Sequence, residues 1–196
     1  MNYINYNNKF FKILETFFSS KYFIFILLIW TFFEASIWFI IPDFILLLSI
    51  IIKPHYYKKF LLITFTSSMI GIIFFYFFIL NFPNFSLESF LRIPFTNQVM
   101  VDNINLLYSN QGIISVLKQS ISGIPSKLWT YSAVKFKFSL INYIFFVSVS
   151  RGIRMFIVSI VASIVGVKGS RILKNHSILF FISYVIFFFT MLYSIS

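Results

Sequence analysis

Glu34, Asp43, Lys127, Arg151 and Arg154 are charged residues set within or beside apolar runs. A carboxylate in the middle of a membrane helix costs about 3 kcal/mol on insertion scales unless it is paired, hydrated or protonated. Glu34 and Asp43 are therefore candidates to carry a proton or to balance a cation. Asp43 directly follows Pro42, so it could equally cap a second half-helix there. Arg151 and Arg154 are three residues apart and share a helical face, where each charge demands a partner. Glu34 or Asp43 on an opposed segment would supply one. An arginine pair also suits the two-pronged grip of a phosphate group. Charge neutralisation or snorkelling toward the interface would explain the pair without a ligand. Lys127 follows Pro125 at an expected helix start, where it could hold a phosphate as a point charge or anchor the chain at the interface.

Other chemistry is excluded or unsupported. The chain has no cysteine, so disulfides, thiolate metal sites and cysteine nucleophiles are ruled out. His55 and His176 match no metal-ligand spacing. Neither a nucleophile with its base nor a glycine-rich phosphate loop is present, so no enzyme, metal or cofactor is expected.

The elements that must position these residues are apolar. Of 196 residues, 59% are hydrophobic and 11% charged, with a mean hydropathy of +0.91. A water-soluble domain needs roughly a quarter of its residues charged. Phe is the most conspicuous type at 30 residues, in keeping with an AT-rich coding genome. The formal charge of +11 comes from small basic clusters between apolar segments, which points to anionic lipid heads and membrane topology rather than nucleic acid.

Residues 1–21 read as a basic amino-terminal arm lying in the interface, with no secretory cleavage pattern. Tyr22 to Ile52 is 31 residues long, about 46 Å as one helix, which exceeds the ~30 Å hydrocarbon core. Pro42 predicts a break near Ile41, giving two shorter helices in a re-entrant hairpin. Phe60 to Phe82 reads as a clean span. Pro83 to Lys118 is mixed in polarity, with Glu88, Arg92 and Asp102. Gln119 to Val134 is too short to span and carries Gly123 and Pro125, which suggests a second re-entrant segment. Phe138 to Val167 and Ile178 to Ile195 read as the remaining spans. With hairpin geometry, Lys9, Lys12, Lys21, Lys53, Lys58, Lys59, Lys168, Arg171 and Lys174 gather on one side, as the positive-inside rule favours; Lys135 and Lys137 run against it. The Ser67-x-x-x-Gly71 patch suggests close helix packing. Trp30, Trp38 and Trp129 are expected at the interface.

"FFEASIWFIIPDFILL" followed by "KPHYYKKFLLITFTSSMIGIIFFYF" resembles the first half of the DedA family, also called VTT or SNARE-associated Golgi proteins. "GIPSKLWTYSAV" resembles that family's second re-entrant motif, and "FFVSVSRGIRMFIVSIVAS" its Gly-Arg-x-x-Arg span. The resemblance covers roughly Phe32 to Ser163 and is nearest the short YqaA-like branch. Three departures stand out: Ile41-Pro42-Asp43 in place of a double proline, a permuted Ser150-Arg151-Gly152, and no glycine near Val134. The resemblance implies an all-α integral membrane protein with an inverted repeat, two opposed re-entrant hairpins and about three transmembrane helices. Pro42, Pro125 and Gly152 would form its turns. A membrane domain over residues 22–176 would be followed by a carboxy-terminal transmembrane helix over 177–196. The implied function is movement of a phosphate-bearing lipid, a phospholipid or polyprenyl phosphate, with proton coupling, in a bacterial inner membrane or an organellar one. Glu34, Asp43, Lys127, Arg151 and Arg154 would bind substrate and ion. A different class of reading, a non-transporting accessory subunit of a larger membrane complex, fits the same composition.

Overall fold

A lipid environment offers the backbone no hydrogen-bond partners, so apolar segments of this kind must satisfy their amides internally. The computed structural model describes residues 2–37, 43–82 and 96–195, and every regular element among them is helical. The helices are α1 (Asn2–Ser19), α2 (Lys21–Ser36), α3 (Asp43–Ile52), α4 (Tyr57–Asn81), α5 (Gln98–Gln111), α6 (Ser126–Lys135), α7 (Leu140–Asn175) and α8 (Ser177–Ile195). A short 3-10 turn, Pro54–Tyr56, leads into α4, and a longer 3-10 stretch, Gly112–Ser120, follows α5.

Two helical stretches, Pro54–Asn81 and Leu140–Asn175, are long and apolar enough to cross a membrane. The α1–α2 pair, bent by 67° at a break beside Ser20, makes a third if it is counted as one span. Helix α3 and the Ser177–Thr190 part of α8 are apolar but shorter. The described residues are thus all-helical in their regular structure, with two to three helices of membrane-crossing dimensions among them. Helix α7 has 36 residues and is about 54 Å long, so it outruns the expected span Phe138 to Val167. Lys168, Arg171 and Lys174, expected beyond that span, continue the helix instead.

The helix expected to break near Ile41 ends sooner, at Ser36, and a new one opens at Asp43. Ile41 and Pro42 lie outside the described residues, as do Trp38, Glu88 and Arg92.

The chain forms two compact units. The first comprises Met1–Leu28, Pro42–Thr64 and Phe156–Ser196, and all nine of the basic residues expected on one side belong to it. Its core joins Phe11, Phe18, Phe23, Leu27, Ile50 and Phe60. Phe23, near the start of α2, packs edge-on against Phe60 of α4 at 5.6 Å. Lys53, just past α3, approaches Glu15 of α1 at 3.7 Å. The start of α2 and the end of α3 therefore lie close together. Asn7 of α1 ties down α8: its Oδ1 accepts from the Ile178 amide at 3.1 Å, and its carbonyl accepts from Ser177 Oγ at 2.8 Å. One of the orphan backbone donors at that helix start, the Ile178 amide, is satisfied this way.

The second unit comprises Ile29–Ile41 and Phe65–Met155. Its core is built on Ile72, Phe75, Tyr76, Tyr108, Trp129, Tyr143 and Val147. Tyr108 donates to the Trp129 carbonyl at 3.0 Å, Thr130 and Tyr143 share a hydrogen bond of 2.9 Å, and Tyr76 donates to the Phe138 carbonyl. Gly71 gives the close packing its small-residue patch predicts: a Cβ there would sit 2.6 Å from the Phe32 carbonyl oxygen. Two expectations fail. Trp129 is not an interfacial anchor but fully buried, its ring edge-on to Tyr108 at 5.5 Å. Gly152 forms no turn; it lies inside the unbroken α7 helix, where its missing side chain leaves room for the Phe65 ring.

Candidate functional site

The second unit brings four of the five sequence candidates, Glu34, Lys127, Arg151 and Arg154, into one region. The Arg151 guanidinium donates to Glu34 Oε2 at 2.8 Å, and the two side chains are only 10% and 13% exposed. A charge-assisted bond of this length is among the stronger polar contacts available to a protein. It answers the demand each group makes in an apolar segment, since an unpaired charge there would be costly. Of the two arginines, Arg151 is the one matched with Glu34. Asp43 belongs to the first unit, as the opening residue of α3.

Lys127 sits in the first turn of α6, a helix whose N-cap is Pro125 and which is too short to span. Its ammonium donates to the Ile37 carbonyl at 3.2 Å, and the residue is 1% exposed, which rules out the interfacial-anchor role. Helix α2 ends at Ser36, so the Ile37 carbonyl is one of the acceptors left over past a helix end, where the partial charge is negative.

Arg154 lies one turn beyond Arg151 and reaches the Ser120 carbonyl at 3.4 Å. The same point of the 3-10 stretch is held to α7 by Ser150, whose hydroxyl donates to the Leu117 carbonyl at 3.0 Å and lies 2.7 Å from the Ser120 hydroxyl. After Ser120 the chain turns through Gly123, at φ +70°, where a left-handed backbone favours glycine, and enters α6. Leu117 and Ser120 therefore meet α7 at Ser150 and Arg154, about 15–21 Å along the helix from Leu140 at 1.5 Å per residue.

Several buried side-chain atoms have no hydrogen-bond partner among the described residues: both amide atoms of Gln119, the hydroxyls of Ser126 and Ser132, the Trp129 indole nitrogen and Arg151 Nε. Each such group costs roughly 1–3 kcal/mol in a dry interior. Among the described residues, no three His, Cys, Asp or Glu side chains converge as metal ligands.

Sequence reasoning missed Gln119, Ser120, Ser150 and the Ile37 carbonyl. Ser150 adjoins Arg151, and Gln119 to Ser122 is a short polar run, but serine in an apolar helix is too common to single out. A backbone carbonyl leaves no mark in the sequence at all. No protein-family model, curated protein or solved structure matches this chain.

Proposed function

We propose that this protein is a DedA-like carrier of phosphate-bearing lipid, in which two re-entrant hairpins oppose one another at mid-membrane. The observation that carries the reading is the meeting of two interrupted segments: the end of α2 contributes Glu34 and the Ile37 carbonyl, the start of α6 contributes Lys127, and Arg151 joins them. Discontinuous helices that converge on charged groups are a recurring sign of substrate sites in inverted-repeat transporters. The proximity of Glu15 to Lys53 supports a hairpin over a crossing for the α2–α3 segment. The contact of Ser120 with Ser150 and Arg154, well along α7 from Leu140, supports a second re-entrant segment.

In this reading Lys127, Arg151 and Arg154 hold the anionic head, and Glu34 balances Arg151 while no head is bound. An arriving phosphate competes with Glu34 for Arg151 and so favours protonation of the carboxyl. That exchange couples lipid movement to protons without any covalent step. The phosphate oxygens would take up buried donors such as Ser126 Oγ and Arg151 Nε.

The test is lipid scrambling in liposomes, with wild type compared to Glu34→Gln, Lys127→Met and Arg154→Leu. Wild type is expected to move a fluorescent phospholipid or a polyprenyl phosphate, and each variant to lose at least about tenfold, the worth of one charge-assisted contact. A folded, reconstituted wild type that moves neither lipid defeats the proposal and favours a non-transporting subunit.

A further inference from the structure

A second polar feature lies in the first unit, apart from the region around Arg151. It is an open groove of about 510 Å³, lined by Lys12, Glu15, Thr16, Ser19, Ser20 and Lys53. The groove sits where α1 gives way to α2 through the 67° bend beside Ser20. An amphipathic helix that turns sharply into an apolar one places its bend at the membrane surface, level with lipid heads. The inner side of α1, Phe11 and Phe18, is buried in the core of its own unit, so the groove is formed by the polar side.

The chemistry of the lining is specific. Lys12 and Lys53 offer ammonium donors. The hydroxyls cannot add to them, because each already donates to the backbone: Thr16 to the Lys12 carbonyl at 2.9 Å, Ser19 to the Glu15 carbonyl at 2.7 Å and Ser20 to the Phe17 carbonyl at 2.7 Å. Toward the groove they present lone pairs, and the Glu15 carboxylate adds two more acceptors. Glu15 and Lys53 stand 3.7 Å apart, beyond hydrogen-bond length, and are 34% and 25% exposed, so both retain capacity for another partner. A simple anion would meet the lysines but also face Glu15. A ligand carrying a phosphate and a primary amine a few bonds apart satisfies both halves.

We infer that this groove binds the headgroup of an amine-bearing phospholipid of the ethanolamine type, its phosphate on Lys12 and Lys53 and its ammonium on Glu15 with Thr16 and Ser19. The site holds α1 at the membrane surface and is independent of the lipid-carrier reading, which uses residues of the other unit. A choline head fills it less well, because a quaternary ammonium has no N–H to give the hydroxyl lone pairs.

The experiment is calorimetric titration of the full chain in a non-ionic detergent with dihexanoylphosphatidylethanolamine, its choline counterpart and inorganic phosphate. Saturable binding of the ethanolamine lipid is expected, with the choline lipid weaker. Lys53→Gln and Lys12→Gln should each weaken it by roughly tenfold, the loss of one charge-assisted contact. Lys12 is exposed, so its replacement leaves folding intact and keeps the test valid if Lys53→Gln does not fold. Thr16→Val should narrow the gap between the ethanolamine and choline lipids. Unchanged affinity in Lys12→Gln overturns the site. Inorganic phosphate binding as tightly as the lipid overturns the assignment to a lipid head, and equal affinity for the choline lipid overturns the role of the amine.

Discussion

Glu34 and Arg151 stabilise the second unit only as a pair. Each was removed from water to make a 2.8 Å contact, and that desolvation is repaid while the partner is present. Removing one partner of a buried pair costs about 3–5 kcal/mol, whereas replacing both with apolar residues of similar volume is often neutral. Glu34→Gln and Arg151→Met should therefore each lower the thermal unfolding midpoint in detergent, and the double variant should recover most of the loss. The cycle reads the coupling directly; additive losses would show that the two side chains act separately. On the proposed lipid-carrier reading, transport should follow a different pattern, since the double variant regains stability without regaining the carboxyl. At this scale the sequence was readable in part. An acid and an arginine stranded in apolar runs predict each other, because each is too costly alone. Which acid pairs with which arginine depends on where the backbone places them, and Glu34 and Asp43 are indistinguishable on hydropathy alone. Lys127 shows the same limit. Its position after Pro125 announced a helix start, but its burial follows from a carbonyl at Ile37 that no residue type encodes.

Helix packing turns on glycines with opposite roles. A Cβ on Gly71 would lie 2.6 Å from the Phe32 carbonyl oxygen and 2.9 Å from the Ala35 side chain. One on Gly166 would lie 2.5 Å from the Ile51 carbonyl oxygen, within the first unit. The two carbonyls are backbone and the Ala35 methyl has no rotamer to adopt, so the helices would have to separate. Gly169 is different: the nearest atoms to its Cβ belong to the Leu173 side chain at 3.8 Å, an ordinary contact. Gly71→Ala and Gly166→Ala should each destabilise the protein by about 1–3 kcal/mol, the range for overpacking. Gly169→Ala should stabilise it by about 0.5–1 kcal/mol, because alanine is the better residue in a helix interior. Thermal unfolding of the three single variants measures the signs; a loss at Gly169 would contradict the packing described. Gly71 was legible from its serine neighbours, whereas Gly166 was not, since Val165-Gly166-Val167 carries no comparable patch. Gly152 misled for a related reason. A glycine beside arginines reads as a turn, yet in α7 it makes room for the Phe65 ring.

At the scale of the whole molecule, length and hydropathy establish the membrane character, but the path of residues 22–52 depends on two close approaches. Lys53 lies 3.7 Å from Glu15, and Phe60 lies 5.6 Å from Phe23. A chain that crossed the bilayer between Lys21 and Lys53 would separate these partners by about 30 Å. A hairpin returns them to one surface, together with the nine basic residues of the first unit, as the charge bias of cytoplasmic segments favours. Because the chain contains no cysteine, single cysteines can report the topology without background. Tyr6→Cys and His55→Cys, both at exposed positions, should react with an impermeant maleimide from the same side of sealed vesicles. Phe82→Cys, at the far end of α4, should react only from the other. Labelling of Tyr6→Cys and His55→Cys from opposite sides would make residues 22–52 a crossing, reverse everything downstream, and remove the opposed-hairpin basis for the lipid-carrier reading. Labelling of both from one side would show that residues 22–52 return to the surface they leave, as a re-entrant segment does and a crossing cannot.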